Sequence, residues 1–338
     1  MVTQNSGKLM ENYNLIQKIL HDILLSNRFI KKSLFEIEKI FYLKKSNLKV
    51  TNSNHLFITG LPRSGTTILL NFFYNTDKFT SLLYKNMPFV MSPNLFDKFN
   101  KEKKFEKKER PHKDGIYVDL NSPESFDEIF FSSFSEKEII YEFPNYLKLI
   151  LLNSKNTRYL SKNNFNYKRI GLILSILPQS IFLLPFRDPI QHSKSLLMQH
   201  EHFLKLQNKN SFIKRYMNYL GHKEFGLLHK SWNEPIKYKN ISHINYWLEQ
   251  WYLFYSNLFS KFKENNNCYF VKYESLNSFG SNENISVKFD VKFNSNFKFN
   301  IKIRNINENF DIELLNKAKK LYSNMESYEI NNSFLQNN

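Results

Sequence analysis

Residues 56–67, LFITGLPRSGTT, constrain the fold of this chain more than any other stretch. An apolar run at 55–60 breaks into a turn that carries Pro62 and Gly65, and an apolar segment follows from Thr66. A buried strand, a glycine-bearing turn and a helix, in that order, are typical of a loop that cradles phosphate at a helix N-terminus. The pattern predicts a strand over 55–60, a helix over 66–74 and an anion site between them.

The same order of strand and helix recurs along the chain. The sequence predicts buried strands at 180–186 (SIFLLPF) and 268–273 (CYFVKY), and the first of them precedes a helical pattern over 189–203. Apolar spacing predicts further helices, two within 14–43 and one each at 167–177, 243–262 and 312–326. Strands that alternate with helices indicate a parallel sheet, with ligands at the carboxyl ends of its strands.

The predicted fold class is α/β, a P-loop-like central parallel sheet flanked by helices, with an N-terminal helical segment. Apolar residues alternate with polar ones at 287–293 and 297–303 around Asn294-Ser295-Asn296, which predicts a C-terminal β-hairpin before the last helix. We expect one domain over 1–338, with N-terminal helices to residue 50, a core over 51–280 and the hairpin and helix over 281–338.

Composition narrows the function classes. The net charge of +17 has two explanations that stay open: compositional drift, since Ala318 is the only alanine, or attraction of polyanionic ligands. No zinc-finger, RRM or RGG pattern appears, so nucleic acid is not expected as a partner. Cys268 is the only cysteine, which fits a reducing compartment, and no signal-like or membrane-spanning apolar run appears. We therefore expect a cytoplasmic protein.

The loop departs from an ATP-binding P-loop at one position. In G-x-x-x-x-G-K-[ST] the lysine reaches the β and γ phosphates, but Thr66 stands there in this chain. What remains is a nest of backbone N–H groups, the hydroxyls of Ser64, Thr66 and Thr67, and the cation Arg63. Such a site suits one phosphate, with Arg63 stabilising charge on its bridging oxygen when the attached group leaves.

Two elements carry a resemblance to a known family. GLPRSGTT (60–67) resembles the 5′-phosphosulfate loop of the PAPS-dependent sulfotransferases, P-[RK]-S-G-T-T, and FLLPFRDPIQHSKS (182–195) resembles their 3′-phosphate element. In the second element a serine follows the arginine by eight residues, as Ser195 follows Arg187. The resemblance implies 3′-phosphoadenosine 5′-phosphosulfate (PAPS) as cofactor, bound by Arg63, Ser64, Gly65, Thr66, Thr67, Arg187 and Ser195.

Two weaker similarities extend the resemblance over about residues 55–276. Lys162 stands 25 residues before Arg187, where the family places a catalytic lysine, and VKYESL (271–276) is similar to its YEDL segment. The chain departs from the family at both known base positions, which here are Asn164 and Tyr84, and it lacks the C-terminal R-K-G cofactor loop. It looks closer to the bacterial, carbohydrate-type sulfotransferases.

The resemblance implies in-line transfer of a sulfuryl group to an acceptor hydroxyl, with Arg63 and Lys162 neutralising the leaving phosphate. No His/Cys cluster has metal-ligand spacing, and no metal is expected. A base must accept the proton of the acceptor, and the segment 110–128 offers Glu124 first and His112 second. Ser122-Pro123-Glu124 is typical of a helix start, which would fix the direction of Glu124.

Two other functions stay open. A P-loop kinase or NTPase with a degenerate loop would use Asp188 as its metal partner, because this acid follows an apolar strand as a Walker-B acid does. A non-catalytic polyanion-binding module on the same scaffold would explain the two missing bases. The acceptor, expected to be a carbohydrate or small metabolite, and the oligomeric state are not encoded in any residue pattern.

Overall fold

A computed structural model of the chain describes residues 13–97, 107–110, 112, 115–124, 126–292, 297 and 299–330. The strands in these ranges are β1 (Leu56–Ile58), β2 (Lys108–Glu109), β3 (Tyr117–Val118), β4 (Leu160–Lys162), β5 (Ile181–Phe186) and β6 (Cys268–Lys272). The α-helices are α1 (Leu15–Ser26), α2 (Arg28–Tyr42), α3 (Thr66–Tyr74), α4 (Pro93–Asp97), α5 (Glu128–Phe131), α6 (Glu136–Leu151), α7 (Ile170–Ile176), α8 (Pro189–Lys209), α9 (Ser211–Tyr219), α10 (Ile244–Phe262), α11 (Leu276–Ser281), α12 (Glu283–Phe289) and α13 (Ile312–Glu326).

The central sheet confirms the α/β prediction. Its four strands lie in the order β4-β1-β5-β6, and every neighbouring pair is parallel. Ile58 at the end of β1 lies opposite Lys162 of β4 on one side and Leu183 of β5 on the other. The carboxyl ends of all four strands therefore meet at one edge of the sheet, where an α/β fold places its ligand.

Each face of the sheet is covered by its own core. Phe57 and Phe182 stack with ring centroids 5.1 Å apart on one face, and the aromatic side of α10, with Trp247 and Trp251, is fully buried in the same cluster. Ile58 belongs to a second cluster on the other face, against α3. This alternation is the period of two that a strand buried on both faces requires. The helix predicted over 243–262 is thus confirmed, and its aromatic side chains belong to the core.

The predicted C-terminal β-hairpin is wrong. Residues 283–289 form α12, in which Ile285 and Phe289 are buried one turn apart while Val287 is 81% exposed. The side chain of Asn282 accepts a bond from the N–H of Asn284 at its start, and Asp290 ends it at a φ of 48°. Within the described part of 290–311 no strand forms. Over so short a stretch, apolar residues spaced by two, as in a strand, and by four, as in a helix, fall partly on the same positions. The capping contacts at the two ends favour the helix.

No helix among the residues that the structure describes is long and apolar enough to cross a membrane.

A neutral histidine joins the start of β1 to β4. The Nε2–H of His55 donates to the carbonyl oxygen of Val50 at 2.7 Å, and its Nδ1 accepts the backbone N–H of Tyr159 at 2.9 Å. Because Nδ1 accepts, the ring must be neutral. Burial lowers the pKa of His55 to about 4.

His55 should make the fold sensitive to acid. Its contribution is complete above the unfolded pKa near 6.5 and is lost as the pH falls from 6.5 towards 4, by on the order of 3 kcal/mol. His55→Asn keeps an acceptor but cannot titrate. Urea unfolding at pH 7, 5.5 and 4 should show that the wild type loses more stability than His55→Asn over this window. A difference that does not change with pH would refute this role.

Candidate active site

The carboxyl ends of the four parallel strands bring the predicted site residues together. The loop 59–65 follows β1, Lys162 is the last residue of β4, and Arg187 follows β5 directly. Tyr273 follows β6, which explains why the VKYESL segment belongs to the site. All of these residues lie at one edge of the sheet, as the sequence predicted.

The backbone of the loop 59–65 packs so closely against its neighbours that a side chain at Gly60 or Gly65 would be crowded. Gly65 has a φ of 100°, and a Cβ there would lie 2.9 Å from the ring of Tyr273. A Cβ at Gly60 would lie 3.1 Å from the carbonyl oxygen of Pro185. The hydroxyl of Ser64 is buried and donates to the carbonyl oxygen of Leu61 at 2.7 Å, so it holds the loop's own turn. Helix α3 begins directly after Gly65, which offers its N-terminus to an anion.

A buried histidine ties this loop to the second predicted element. The Nε2–H of His192, in α8, donates to the carbonyl oxygen of Pro62 at 2.8 Å. Because a carbonyl oxygen can only accept, this nitrogen carries the proton. Burial lowers the pKa of His192 to about 3, and the nearby Arg187 and Arg63 also lower it. The ring therefore stays neutral and fixes the loop to α8.

Arg187 lies beside the loop, as the proposed nucleotide site requires. Its side chain is 3% exposed, and its guanidinium lies 4.3 Å from the ring centre of Tyr273. Nη2 donates to the carbonyl oxygen of Lys302 at 2.5 Å, and Nη1 contacts that of Arg63 at 3.5 Å. Its Nε is buried, and no hydrogen-bond partner for it lies among the residues that the structure describes. Burial is the main reason that the pKa of Arg187 is lowered, and Arg304 and Arg63 lower it further.

These residues surround what we call the cationic cleft. Its cationic lining residues are Arg63, Arg110, Arg187, Lys302 and Arg304, and no aspartate or glutamate lines it among the described residues. Gly65, Thr66 and Thr67 form the wall next to α3. Ser195 lies beside the cleft, where its hydroxyl accepts a bond from Nε of Arg63 at 3.3 Å. So much positive charge without a lining carboxylate calls for a polyanionic ligand.

A second cavity, the inner pocket, adjoins the cationic cleft. The residues that line both are Arg63, Thr66, Thr67 and Arg110. Both base candidates line the inner pocket: Glu124, and His112, whose ring centroid lies 5.1 Å from that of Phe203.

Glu124 sits between two cations, but not for the reason that the sequence suggested. Oε1 lies 3.4 Å from Nζ of Lys162, and Oε2 lies 3.4 Å from Nη1 of Arg110 and accepts the hydroxyl of Tyr84 at 2.9 Å. The predicted helix start at Ser122-Pro123-Glu124 is wrong, since Pro123 forms a β-bridge with Leu83 and α5 begins only at Glu128. The backbone N–H of Glu124 donates to Leu82, so extended pairing fixes its direction.

The buried carboxylate of Asp127 binds strand β4 on the side opposite the Lys162 side chain. Ser161 donates to Asp127 at 2.5 Å and the side-chain amide of Asn163 donates to it at 3.2 Å. Ser161 and Asn163 flank Lys162, so both bonds leave the lysine on the opposite side of the strand, towards the pocket. Burial raises the pKa of Asp127 to about 6.

Several residues at the site were not predicted. His222 and Glu224 line the inner pocket, and Nδ1 of His222 lies 3.3 Å from Oε1 of Glu224. Burial raises the pKa of Glu224, but His222 and then Lys162 lower it. The net effect is a lowered pKa. Arg110, Lys302 and Arg304 were also missed. No motif marks these residues, because only long-range contacts bring them to the site.

The carboxylate of Asp188 makes a structural hydrogen bond at the start of a helix. Its side chain accepts the backbone N–H of Gln191 at 2.9 Å and so caps α8. Its own N–H donates to Oε1 of Glu274 at 3.0 Å, and Tyr322 donates to the other oxygen of Glu274. The acid that a kinase would need for magnesium is thus engaged at the start of a helix.

The model of the sulfotransferase family matches residues 55–246, more than half of the chain, and the chain therefore belongs to that family. Among solved structures, it is similar to the sulfotransferase STF9 from Mycobacterium avium, at 10% identity and a TM-score of 0.49, over 93% of this chain and 79% of that one. It is also similar to STF1 from Mycobacterium tuberculosis H37Rv, at 13% identity and a TM-score of 0.44, over 94% and 83%. No curated protein matches the chain.

The pairing of Glu124 with buried cations predicts a large loss of stability when its charge is removed. Glu124→Gln should cost about 3 kcal/mol in urea unfolding, because Lys162 and Arg110 each lose a buried ion pair. Glu313→Gln is the control, since its partner Lys317 lies on the exposed side of α13, and we expect no measurable change there. Equal effects of the two substitutions would contradict this account of the pocket.

Proposed function

We propose that the protein is a sulfotransferase that uses PAPS and transfers its sulfuryl group to an acceptor hydroxyl. The observation that carries this proposal is the cationic cleft, which joins the loop 63–67 to Arg187 and which no carboxylate of the described residues lines. Two anchors for anions at the ends of one cleft suit a nucleotide with a phosphate on each side of its ribose.

The residues present fit such a ligand. The N-terminus of α3 with Arg63, Thr66 and Thr67 would hold the 5′-phosphosulfate. Arg187 would hold the 3′-phosphate, since it is buried and its Nε has no hydrogen-bond partner within the described part of the chain. Lys302 and Arg304 line the same cleft and add charge that the missing R-K-G loop supplies in other branches.

The inner pocket supplies the groups that the transfer needs. PAPS, when bound, supplies an activated sulfuryl group, whose bond to the 5′-phosphate breaks as a bond to the acceptor oxygen forms. Glu124 accepts the proton of the acceptor hydroxyl, a function worth roughly 10²- to 10⁴-fold in rate. Lys162 and Arg63 stabilise the negative charge that develops on the departing phosphate. Asp127 positions Lys162 through the residues on either side of it.

The capping contacts of Asp188 disfavour the kinase interpretation, because a carboxylate bound to a helix N-terminus is a poor magnesium ligand. The polyanion-binding interpretation predicts affinity for PAP, the product nucleotide, without turnover on any acceptor.

Arg187→Ala and Ser195→Ala should each weaken the binding of PAP. Loss of one charge-assisted bond of roughly 1.5 to 3 kcal/mol corresponds to about 10- to 150-fold in affinity for Arg187→Ala, and we expect a smaller loss for Ser195→Ala. Ser193→Ala is a matched control, because Ser193 is buried in the same helix and donates to the carbonyl oxygen of Pro189 instead. Isothermal calorimetry that finds wild-type affinity in both variants would contradict the assignment.

Glu124→Gln should abolish most of the turnover without weakening the affinity for PAP by more than about threefold, because the substitution removes the base but leaves every cation of the cleft in place. Labelled PAPS and an accepted hydroxyl compound give the rate, and PAP calorimetry on the same sample shows that the variant is folded. Asp119→Asn is the control, since Asp119 caps a nearby turn through Ser122. Turnover by Glu124→Gln at the rate of Asp119→Asn would remove Glu124 from the mechanism.

A further inference from the structure

We infer that the acceptor is an alcohol or phenol with an apolar body, and not a sugar. This inference rests on the proposed function and concerns the apolar wall of the inner pocket. Phe126, Phe203, Met217, Leu220 and Phe225 line it, and each is at most 5% exposed.

The wall comes from elements that pack on one another. Phe203 lies in α8 and Met217 in α9, while Leu220 and Phe225 follow α9. The rings of Phe203 and Phe225 are nearly parallel, at an angle of 10° with centroids 6.3 Å apart. Buried rings held by helices give the pocket a fixed apolar surface.

The charged groups of the pocket are largely engaged with one another. Lys162, Arg110 and Tyr84 all contact Glu124, and His222 pairs with Glu224, whose pKa Lys162 also lowers. Asn164 also lines the pocket, and among the described residues its Oδ1 has no hydrogen-bond partner, so it offers one further polar contact. A hydroxyl that enters between Arg63 and Glu124 thus finds polar partners there, while the five apolar side chains offer none to the rest of the molecule.

This arrangement separates two classes of acceptor. A sugar carries several hydroxyls, and each one buried against the phenylalanines would lose its hydrogen bonds to water without a replacement. An aromatic or alkyl body has no such loss and gains from leaving water. The pocket therefore favours an acceptor with one hydroxyl near the transferred group.

Calorimetry with the PAP-saturated protein tests the inference. The probes are 2-naphthol and methyl α-glucoside, and we expect 2-naphthol to bind at least about 100-fold more tightly, as the burial of a ring system implies. Supplied with labelled PAPS, the wild type should sulfate 2-naphthol faster than the glucoside. A glucoside that binds as tightly as 2-naphthol, or is sulfated faster, overturns the inference.

A pair of variants in α9 gives the matched control. Met217 and Ile213 are both buried in this helix, but only Met217 lines the pocket. Met217→Ala should weaken 2-naphthol about 4- to 20-fold, as expected for the loss of one to two buried methylene equivalents, and Ile213→Ala should leave it within about threefold. Equal losses in the two variants overturn the inference.

The experiments distinguish a failure of the proposed function from a failure of the inference about the acceptor. PAP is titrated first, in the absence of any acceptor, so a wild type that does not bind PAP refutes the sulfotransferase proposal itself. A wild type that binds PAP but prefers the glucoside refutes only the apolar acceptor.

Discussion

The parallel register of β1 and β5 is the constraint on which the site depends. Ile58, the last residue of β1, lies opposite Leu183, and β5 continues for three more residues to Phe186. This extension carries Arg187 up to the level of the loop, whose carbonyl at residue 63 lies 3.5 Å from its guanidinium. Gly60 allows the loop to pass against Pro185. A shift of register by one residue would place Arg187 on the wrong face of the sheet.

The positive charge at the strand ends is partly balanced by carboxylates in the inner pocket, whereas no carboxylate of the described residues lines the cationic cleft. In the inner pocket Glu124 lies against Lys162 and Arg110, which lowers the cost of burying them. In the cationic cleft the partners of Arg187 are carbonyl oxygens and the face of Tyr273. A bound polyanion would therefore stabilise the cleft, and folding and ligand binding should be linked through it.

Local patterns predicted most of the fold. The strand and helix around residues 56–74 are encoded by adjacent residues, whereas Arg187 and Ser195, which we propose as one nucleotide anchor, were identified by the resemblance of residues 182–195 to a family element. Two local predictions, the C-terminal hairpin and the helix start at Pro123, were wrong because other contacts fix the backbone there. Phe289 lies in a helix that Asn282 caps, and Pro123 forms a β-bridge with Leu83.

Other contacts could not be predicted from the sequence. His192 binds the loop across 130 residues, and Lys302 reaches Arg187 across 115, with no spacing rule to connect them. His222 and Glu224 enter the inner pocket because the chain folds back after α9. The apolar wall depends likewise on which faces of α8 and α9 meet, which hydrophobic spacing does not specify.

The central claim is that one cleft holds two phosphates at separate anchors, and a thermodynamic cycle tests it most directly. Calorimetry would compare PAP with adenosine 5′-monophosphate, which lacks the 3′-phosphate, in the wild type and in Arg187→Ala. The account predicts that the wild type prefers PAP, that Arg187→Ala loses this preference, and that the affinity for the monophosphate is unchanged. Equal weakening of both nucleotides, or a preference that survives the substitution, would contradict it.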